Sequence, residues 1–312
     1  VTFDVYQRRN FDEIAPTVTQ LYGTAYANVG SMKSWGEELS ISSTNVKTND
    51  FSWQTSLIYS HNRTEITNLY NQGRVIDLVQ GNGFAKQGYP ARALFSIPFV
   101  GINEKGNPVC INEKGQATVG DLNFQERNNT DYLIYEGSTD PIYNGSLGNT
   151  FNYKGFHLNL FLTYAFGNVV RLDPVFKAKY NDLTSMTHDF KNRWMQPGDE
   201  NVTNVPGVVS RYEYEQNRTL LSTAYNAYNY TSVRTAKGDF IRLKEISLAY
   251  DFPHRWLENS PVNNISLKLQ ATNLMLLYAD KKLNGQDPEF MNAGGVASPM
   301  PKQFTLTLKL GL

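Results

Sequence analysis

At 312 residues with a formal net charge of zero, the chain is long enough for one large or two ordinary domains and offers no charge imbalance to attract nucleic acid or an anionic surface. No apolar run reaches the roughly 18 residues of a membrane helix, which excludes a helical span and leaves a membrane β-barrel open, because a barrel strand needs only about 9 to 11 residues of alternating polarity. The single cysteine, Cys110, has no partner for an internal disulfide and reads as a buried or half-buried thiol.

The chain opens in strand pattern, with Val1, Phe3 and Val5 opposed by Thr2 and Asp4. With neither an initiator Met nor a signal peptide, it reads as part of a longer protein. Residues 10–30 lose the alternation and read as a loop containing Pro16. A strand is expected over 33–45, with Trp35, Leu39 and Ile41 on one face and Glu37 breaking the pattern. After a polar turn at 46–50, Phe51, Trp53, Thr55, Leu57 and Tyr59 alternate with Ser52, Gln54, Ser56 and Ser60, completing a hairpin.

Residues 65–88 are loop-like, and 89–100 has strand composition interrupted by Pro90 and Pro98. Ile-Asn-Glu-Lys-Gly then occurs twice, at 102–106 and 111–115, each copy reading as a turn in which glycine supplies positive φ. A calcium loop would need carboxylates at alternate positions, which Asn, Glu and Lys do not provide, so no metal is expected. The clearest hairpin joins 146–153 to 156–166 through Lys154-Gly155, with Phe156, Leu158, Leu160, Leu162, Tyr164 and Phe166 sharing a face. No long alternation survives from 167 to 237, a connection far beyond the usual length and therefore a place to look for function. The last seventy-five residues carry three strict alternations: Ile246 to Phe252, Ile265 to Ala271, and Phe304 to Leu312.

Short connections at 46–50, 154–155 and 253–262 thus alternate with long ones at 10–30, 65–88, 167–237 and 278–301. Outer-membrane barrels have this asymmetry, with short periplasmic turns and long extracellular loops. For 46–50 and 154–155 to face the same side, an even number of crossings must separate them. Either 131–136 adds a strand to 89–100, giving about ten in all, or 89–100 belongs to a loop.

Several stretches carry a family resemblance: Asn28-Val29-Gly30 before Trp35-Gly36-Glu37; Asp140-Pro141 leading to Gly148-Asn149-Thr150-Phe151-Asn152-Tyr153-Lys154-Gly155-Phe156; Trp194 with Pro197-Gly198-Asp199; Gly238-Asp239-Phe240-Ile241-Arg242-Leu243-Lys244-Glu245-Ile246-Ser247-Leu248-Ala249-Tyr250; Thr272-Asn273-Leu274; and Gln286-Asp287-Pro288-Glu289. In order and spacing these resemble the C-terminal half of the barrel of SusC/RagA-type TonB-dependent transporters. The resemblance implies an all-β fold, the C-terminal part of a large antiparallel barrel of about 22 strands whose plug domain lies outside this chain. It further implies residence in the outer membrane of a Gram-negative bacterium, energy from TonB, a SusD-like surface lipoprotein as lid, and import of an oligosaccharide or oligopeptide.

No catalytic arrangement stands out: His61, His157, His188 and His254 are isolated, and no Gly-x-Ser-x-Gly elbow occurs. The expectation is a transporter, neither an enzyme nor a user of cofactors. Trp35, Trp53, Phe156, Tyr164, Phe166, Tyr250, Phe252 and Trp256 lie near expected strand ends, where amphipathic rings favour the membrane interface. Trp194, Tyr212, Tyr214, Tyr225, Tyr228 and Tyr230 lie in the longest loop and are the candidates for substrate or lid contact, with packing inside the loop as the competing reading. Asp239 and Arg242 are placed to pair within the sheet. Two other classes remain: a passive or adhesive barrel, and a soluble β-rich glycan-binding module, in which protein rather than lipid would cover the Phe156 to Phe166 face.

Overall fold

The computed structural model describes residues 1–312 except 20–22, 182, 184–185, 259–260, 292–300 and 312, and for 14–19 and 23–29 it describes backbone alone. Eight strands form one antiparallel sheet: β1 (Thr2–Thr19), β2 (Gly23–Lys47), β3 (Phe51–Leu69), β9 (Tyr143–Tyr153), β10 (Phe156–Phe166), β13 (Phe240–Asp251), β14 (Asn264–Ala279) and β15 (Gln303–Gly311), paired in that order. The intervening strands are short and belong to loops: β4 (Ala93–Ser96) with β8 (Ile134–Ser138); β5 (Phe99–Ile102), β6 (Pro108–Ile111) and β7 (Ala117–Thr118) together; and β11 (Val169–Arg171) with β12 (Thr235–Lys237).

Register fixes the faces. Leu57 lies opposite Leu147, Leu147 opposite Leu162, Leu162 opposite Leu243 and Leu243 opposite Met275, so the apolar members of every strand meet on one side. Ser56, Gly148 and Phe161 continue the other side, with Asn159, Ser247 and Gln270 one pair nearer the short turns. In this chain the apolar face is open: Phe304 is 70% exposed, and Leu306, Leu308, Leu269 and Leu248 are exposed beside it. An apolar face left open while the opposite face is polar suits lipid outside and water within.

Three expectations change. The sheet holds eight strands because 89–100 and 131–136 contribute β4, β5 and β8 to a folded loop, leaving β3 and β9 as direct neighbours. Residues 10–19 and 23–30 are strand instead of the expected loop, since β1 and β2 stay paired from Thr2↔Ser40 to Thr19↔Gly23, with an irregularity at Asn10/Glu13; the rest of the expected loop lies outside the described residues. Nor does a loop begin at 65, because β3 runs on to Leu69. Each of these strands outruns its apolar band, so the hydrogen-bond ladder continues where the polarity alternation has ended. Glu37 marks that limit, exposed on the outward face and paired with His61, one row beyond Leu39 and Tyr59. Asn273, at φ 54°, similarly interrupts the pattern within β14 without ending the strand.

Candidate functional site

At the long-loop end, the two connections 70–142 and 167–239 fold into each other. Val75, Leu78 and Val79 of α1 (Val75–Val79) pack with Ala93, Phe95, Ile97, Cys110 and Leu133, and also with Ala227, which comes from the second loop. Ala227 lies on α3 (Arg218–Asn229), where Leu221, Ala224, Tyr225 and Tyr228 follow the spacing of a single helical face and are all buried. That helix also builds a second cluster, in which Ala178, Leu221, Ala224 and Tyr225 meet Val119 of the first loop. Each fully buried side chain of this kind contributes about 1.5–3 kcal/mol relative to exposure. The loops therefore form a cap with its own core, more than independent flexible arms.

Arg171, on β11, ties the cap together. It is 6% exposed, and its Nε donates to the Val79 carbonyl at 3.2 Å, Nη1 to the Thr231 carbonyl at 2.7 Å, and Nη2 to the Phe95 carbonyl at 2.6 Å and Ser96 Oγ at 3.0 Å. Burial pulls its pKa down from 12.5 to about 9, opposed by the Glu136 carboxylate, which leaves the guanidinium charged at neutral pH. Arg234 is also buried, over the Phe176 ring at 4.9 Å, with Asp189 at 3.4 Å and the Asp173 carbonyl at 3.0 Å; burial lowers its pKa while Tyr228 and Asp189 oppose the shift. In the first loop, the Arg74 side chain holds the Asp77 carboxyl below its ordinary 3.8, and the Arg74 backbone N–H adds a 2.9 Å bond.

Arg242 and Asp239 do not pair as expected. The Arg242 Nη2 bonds both Asp287 oxygens, at 2.6 and 2.5 Å, and lies 3.2 Å from Glu289, whereas Asp239 accepts from the Gly167 N–H at 2.7 Å. Arg242 lies opposite Thr163 on the polar face of β13, so the ion pair pins the connection after β14 onto the rim of the lumen side. The two most family-specific blocks, 238–250 and 286–289, meet at this pair. Nearer the short turns, a polar chain crosses four strands. Asn152 donates to Ser52 Oγ at 2.9 Å, and the His157 nitrogens lie 2.6 Å from Asn152 Oδ1 and 2.9 Å from Asp251 Oδ2. His157 is thus a crosslink of the polar face, where its sequence position indicated only solvation.

The loop aromatics divide by burial. Tyr225 is 1% and Tyr228 2% exposed; the former donates its hydroxyl to the Gly207 carbonyl at 2.6 Å, and the latter lies between the Phe99 and Phe176 rings. Neither reaches a substrate or a lid, which corrects their candidacy: helical spacing put them on the inward face of α3. Tyr230 packs on Phe124 and on the α1 cluster. The Trp194 ring lies over Gly106 and Gly207, its Nε1 donating to Glu200 at 2.9 Å. On α2 (Arg211–Gln216), Tyr212 is 79% exposed, whereas Tyr214 packs against the cluster of Leu221, Ala224 and Tyr225 with its hydroxyl 3.4 Å from Ser222 Oγ and the Lys179 ammonium 5.7 Å over its ring. Arg171 has no local sequence pattern to mark it, whereas Asp287 stands in the Asp-Pro-Glu motif that the sequence singles out, without its Arg242 partner being visible there.

The two Ile-Asn-Glu-Lys-Gly copies form the same turn. Asn103 Oδ1 accepts from Lys105 and Asn107 N–H groups, as Asn112 Oδ1 does from Lys114 and Gln116, with Gly106 at φ 77° and Gly115 at φ 74°. Trp194 covers the first glycine, whereas the second faces open space. Gly115→Ala is expected to cost about 1 kcal/mol from positive φ alone. Gly106→Ala should cost about 1–3 kcal/mol more because the ring must move. Equal protease sensitivity of the two variants' caps would refute the Trp194 contact.

Of the strand-end aromatics, Trp53 stacks on Phe151 at 5.7 Å, and Phe156, Tyr250, Phe252 and Trp256 form a continuous string at 4.4, 5.0 and 6.0 Å beside the short turns. Tyr164 and Phe166 meet at 5.7 Å toward the other end, joined by Tyr278; Tyr59 and Tyr143 pair at 6.3 Å, and Trp35 lies two rows beyond Leu39.

A twisted antiparallel sheet with an open apolar face, a polar inner face, short turns at one end and a folded cap at the other is part of a large transmembrane β-barrel. No protein-family model matches the chain. In sequence it is similar to TonB-dependent receptor P39 of Formosa agariphila, at 24% identity over 88% of this chain and 29% of that protein. It is similar also to the TonB-dependent receptor SusC of Bacteroides thetaiotaomicron, at 25% identity over 97% of this chain and 29% of that protein. Among solved structures, the RagAB peptide transporter superposes with a TM-score of 0.72 at 22% identity, over 99% of this chain and 33% of that one. The RagAB peptide importer in its closed-closed state gives 0.71 at 22% identity, with the same coverage. The chain resembles a SusC/RagA-type TonB-dependent transporter and spans less than a third of the length of these curated relatives.

Proposed function

We propose that this chain forms one side of the barrel, and much of the capped entrance, of an outer-membrane importer of oligomeric nutrients. In this reading the short turns face the periplasm, the cap faces outward beneath a SusD-like lipoprotein lid, and energy arrives from the inner membrane through TonB. The observation that carries it is the cap itself: two long loops share a core above the polar face, a construction suited to admitting cargo under control. A passive pore has no need of such a core. Against a soluble glycan-binding module stands the exposure of the apolar row Leu248, Leu269, Leu306 and Leu308, which suits lipid as its cover. The eight strand-end aromatics serve in this reading as interface belts, and Tyr212, the exposed tyrosine of α2, is the loop aromatic best placed to touch lid or cargo. The cargo is a polar oligomer, saccharide or peptide, following the Ser, Thr, Asn and Gln face, and the chain performs transport without catalysis.

Purification of the full-length protein in mild detergent, followed by mass spectrometry of everything that co-elutes, tests this. A surface lipoprotein with a bound oligosaccharide or oligopeptide is the expected result and names the substrate class. A monomer that stays soluble without detergent overturns the membrane reading, and a detergent-dependent barrel with neither partner nor cargo favours the passive pore.

A further inference from the structure

A cavity of about 720 Å³ opens beside the upper end of β3, where β9 diverges from it and residues 88–91 take over as neighbour; Trp35, Arg63, Tyr89 and Tyr135 contribute to its lining. That volume falls within the range of small-ligand sites, about 300–1,000 Å³. Trp35 and Arg63 are cross-strand partners on the outward face, the one that carries Leu39, Ile41, Leu57 and Tyr59 lower down. The adjacent outward row pairs Arg9 with Lys33 and Lys33 with Glu65. Of the charges that line the cavity, Glu65 is bound to Lys33 at 2.9 Å and Asp140 to Arg92 at 2.6 Å. The Arg63 side chain alone among them makes no hydrogen bond or ion pair with the described residues. Lys33 meanwhile lies over the Trp35 ring at 5.5 Å, so the cavity is aromatic and carries one uncompensated cation among its own lining charges, with the exposed Glu37 one row below.

Height identifies the ligand. With strands rising about 3.3 Å per residue at a tilt near 40°, Arg63 stands ~30 Å along the membrane normal from the Phe51 row beside the short turns. An apolar band is about 25 Å tall, so the Arg63 guanidinium reaches the level just beyond it, among lipid headgroups. A cation there, facing lipid rather than lumen, meets no cargo. A guanidinium matches phosphate oxygens with two parallel donors, and the faces of Trp35 and Tyr135 suit the C–H face of a sugar ring. Below the cavity comes the row of Glu37 and His61, the latter stacked on Tyr143 at 4.9 Å, and beneath it Leu39, Tyr59, Ile41 and Leu57 continue as an apolar track that acyl chains can follow.

We infer that this cavity is a binding site for the phosphorylated sugar headgroup of an outer-leaflet glycolipid, with Arg63 on the phosphate and Trp35 and Tyr135 against the sugar. The inference rests on the outer-membrane reading above, and the test separates the two. The full-length protein is delipidated in detergent and titrated with diphosphoryl lipid A, with its dephosphorylated counterpart, and with inorganic phosphate, bound lipid being read by native mass spectrometry. The expected result is one retained lipid A per chain, with affinity at least tenfold weaker in Arg63→Gln, partly recovered in Arg63→Lys, and unchanged in Arg211→Gln on the distant α2. The dephosphorylated lipid should bind about as weakly as the Arg63→Gln variant does. Equal binding by wild type and Arg63→Gln overturns the site, as does competition by inorganic phosphate at lipid concentrations, which would indicate a free-ion pocket. Resistance of both proteins to unfolding in SDS at room temperature shows that the barrel is intact, so loss of lipid binding with that resistance preserved reports on the site alone. A protein that needs no detergent sinks the membrane reading instead.

Discussion

Arg171→Ala is expected to open the cap while leaving the barrel closed, at a cost of about 3–5 kcal/mol to the cap. The guanidinium supplies the donors for three main-chain carbonyls, those of Val79, Phe95 and Thr231, drawn from both long loops. These acceptors are fixed parts of the backbone, so no second substitution can remove them. Each buried acceptor left without a donor costs about 1–3 kcal/mol. The opposing effect is relief from holding a buried charge that lacks a contacting carboxylate, a cost visible in the lowered pKa of Arg171. Relief is the smaller of the two, because the burial cost is already offset by four hydrogen bonds and by Glu136. Arg171→Met, which restores apolar volume, should therefore be nearly as damaging as Arg171→Ala. A loss of 3 kcal/mol multiplies the open population by about 100-fold or more, and proteolysis in rapid exchange follows that population. Cleavage within 70–142 and 167–239 should accelerate accordingly, with the sheet strands still protected. Unchanged cleavage would show that the apolar clusters hold the loops together without this residue.

How much of this was legible in the sequence depended on whether a residue's role is local. The hairpin at Lys154-Gly155 and the alternations from Phe51 to Tyr59 and from Ile246 to Phe252 could be read because lipid on one side and water on the other impose a period of two. Beyond the bilayer both faces meet water, and β1, β2 and β3 continue as ladders without that signature; residues 10–30 therefore looked like a loop. The duplicated turns could be read because asparagine and glycine act within five residues of each other. The cap core could not, since Val75 and Ala227 are brought together only by the fold. Tyr225 and Tyr228 were misplaced for a related reason: a tyrosine-rich run between strands suggests a binding loop, and only the helical spacing of Leu221, Ala224, Tyr225 and Tyr228 reveals an inward face. Arg63 and Trp35 fall at the boundary of the two regimes, where alternation fades and residue type begins to carry more information than period.

Asp287→Ala should destabilise the rim by about 3–5 kcal/mol, and here, in contrast to Arg171, a second substitution should repair the loss. Arg242 and Asp287 are both buried, with side chains 6% and 8% exposed, and Glu289, 43% exposed, is the one other carboxylate in contact. Removing Asp287 leaves a buried cation facing a partner half in water, whose attraction is screened. Both members of the pair are side chains, so Arg242→Met with Asp287→Leu removes donor and acceptor together and fills the space. Buried pairs replaced in this way are often neutral or stabilised, because neither charge need be desolvated. The double variant should therefore unfold in SDS within a few degrees of wild type, well above either single variant. A double variant no better than Asp287→Ala would mean that the connection needs the ion pair's directionality to settle on the rim. On the importer reading proposed above, transport then distinguishes structure from mechanism: a double variant that is as heat-resistant as wild type but imports poorly places the Arg242–Asp287 pair on the path of the cargo, whereas full import confines it to anchoring the loop after β14.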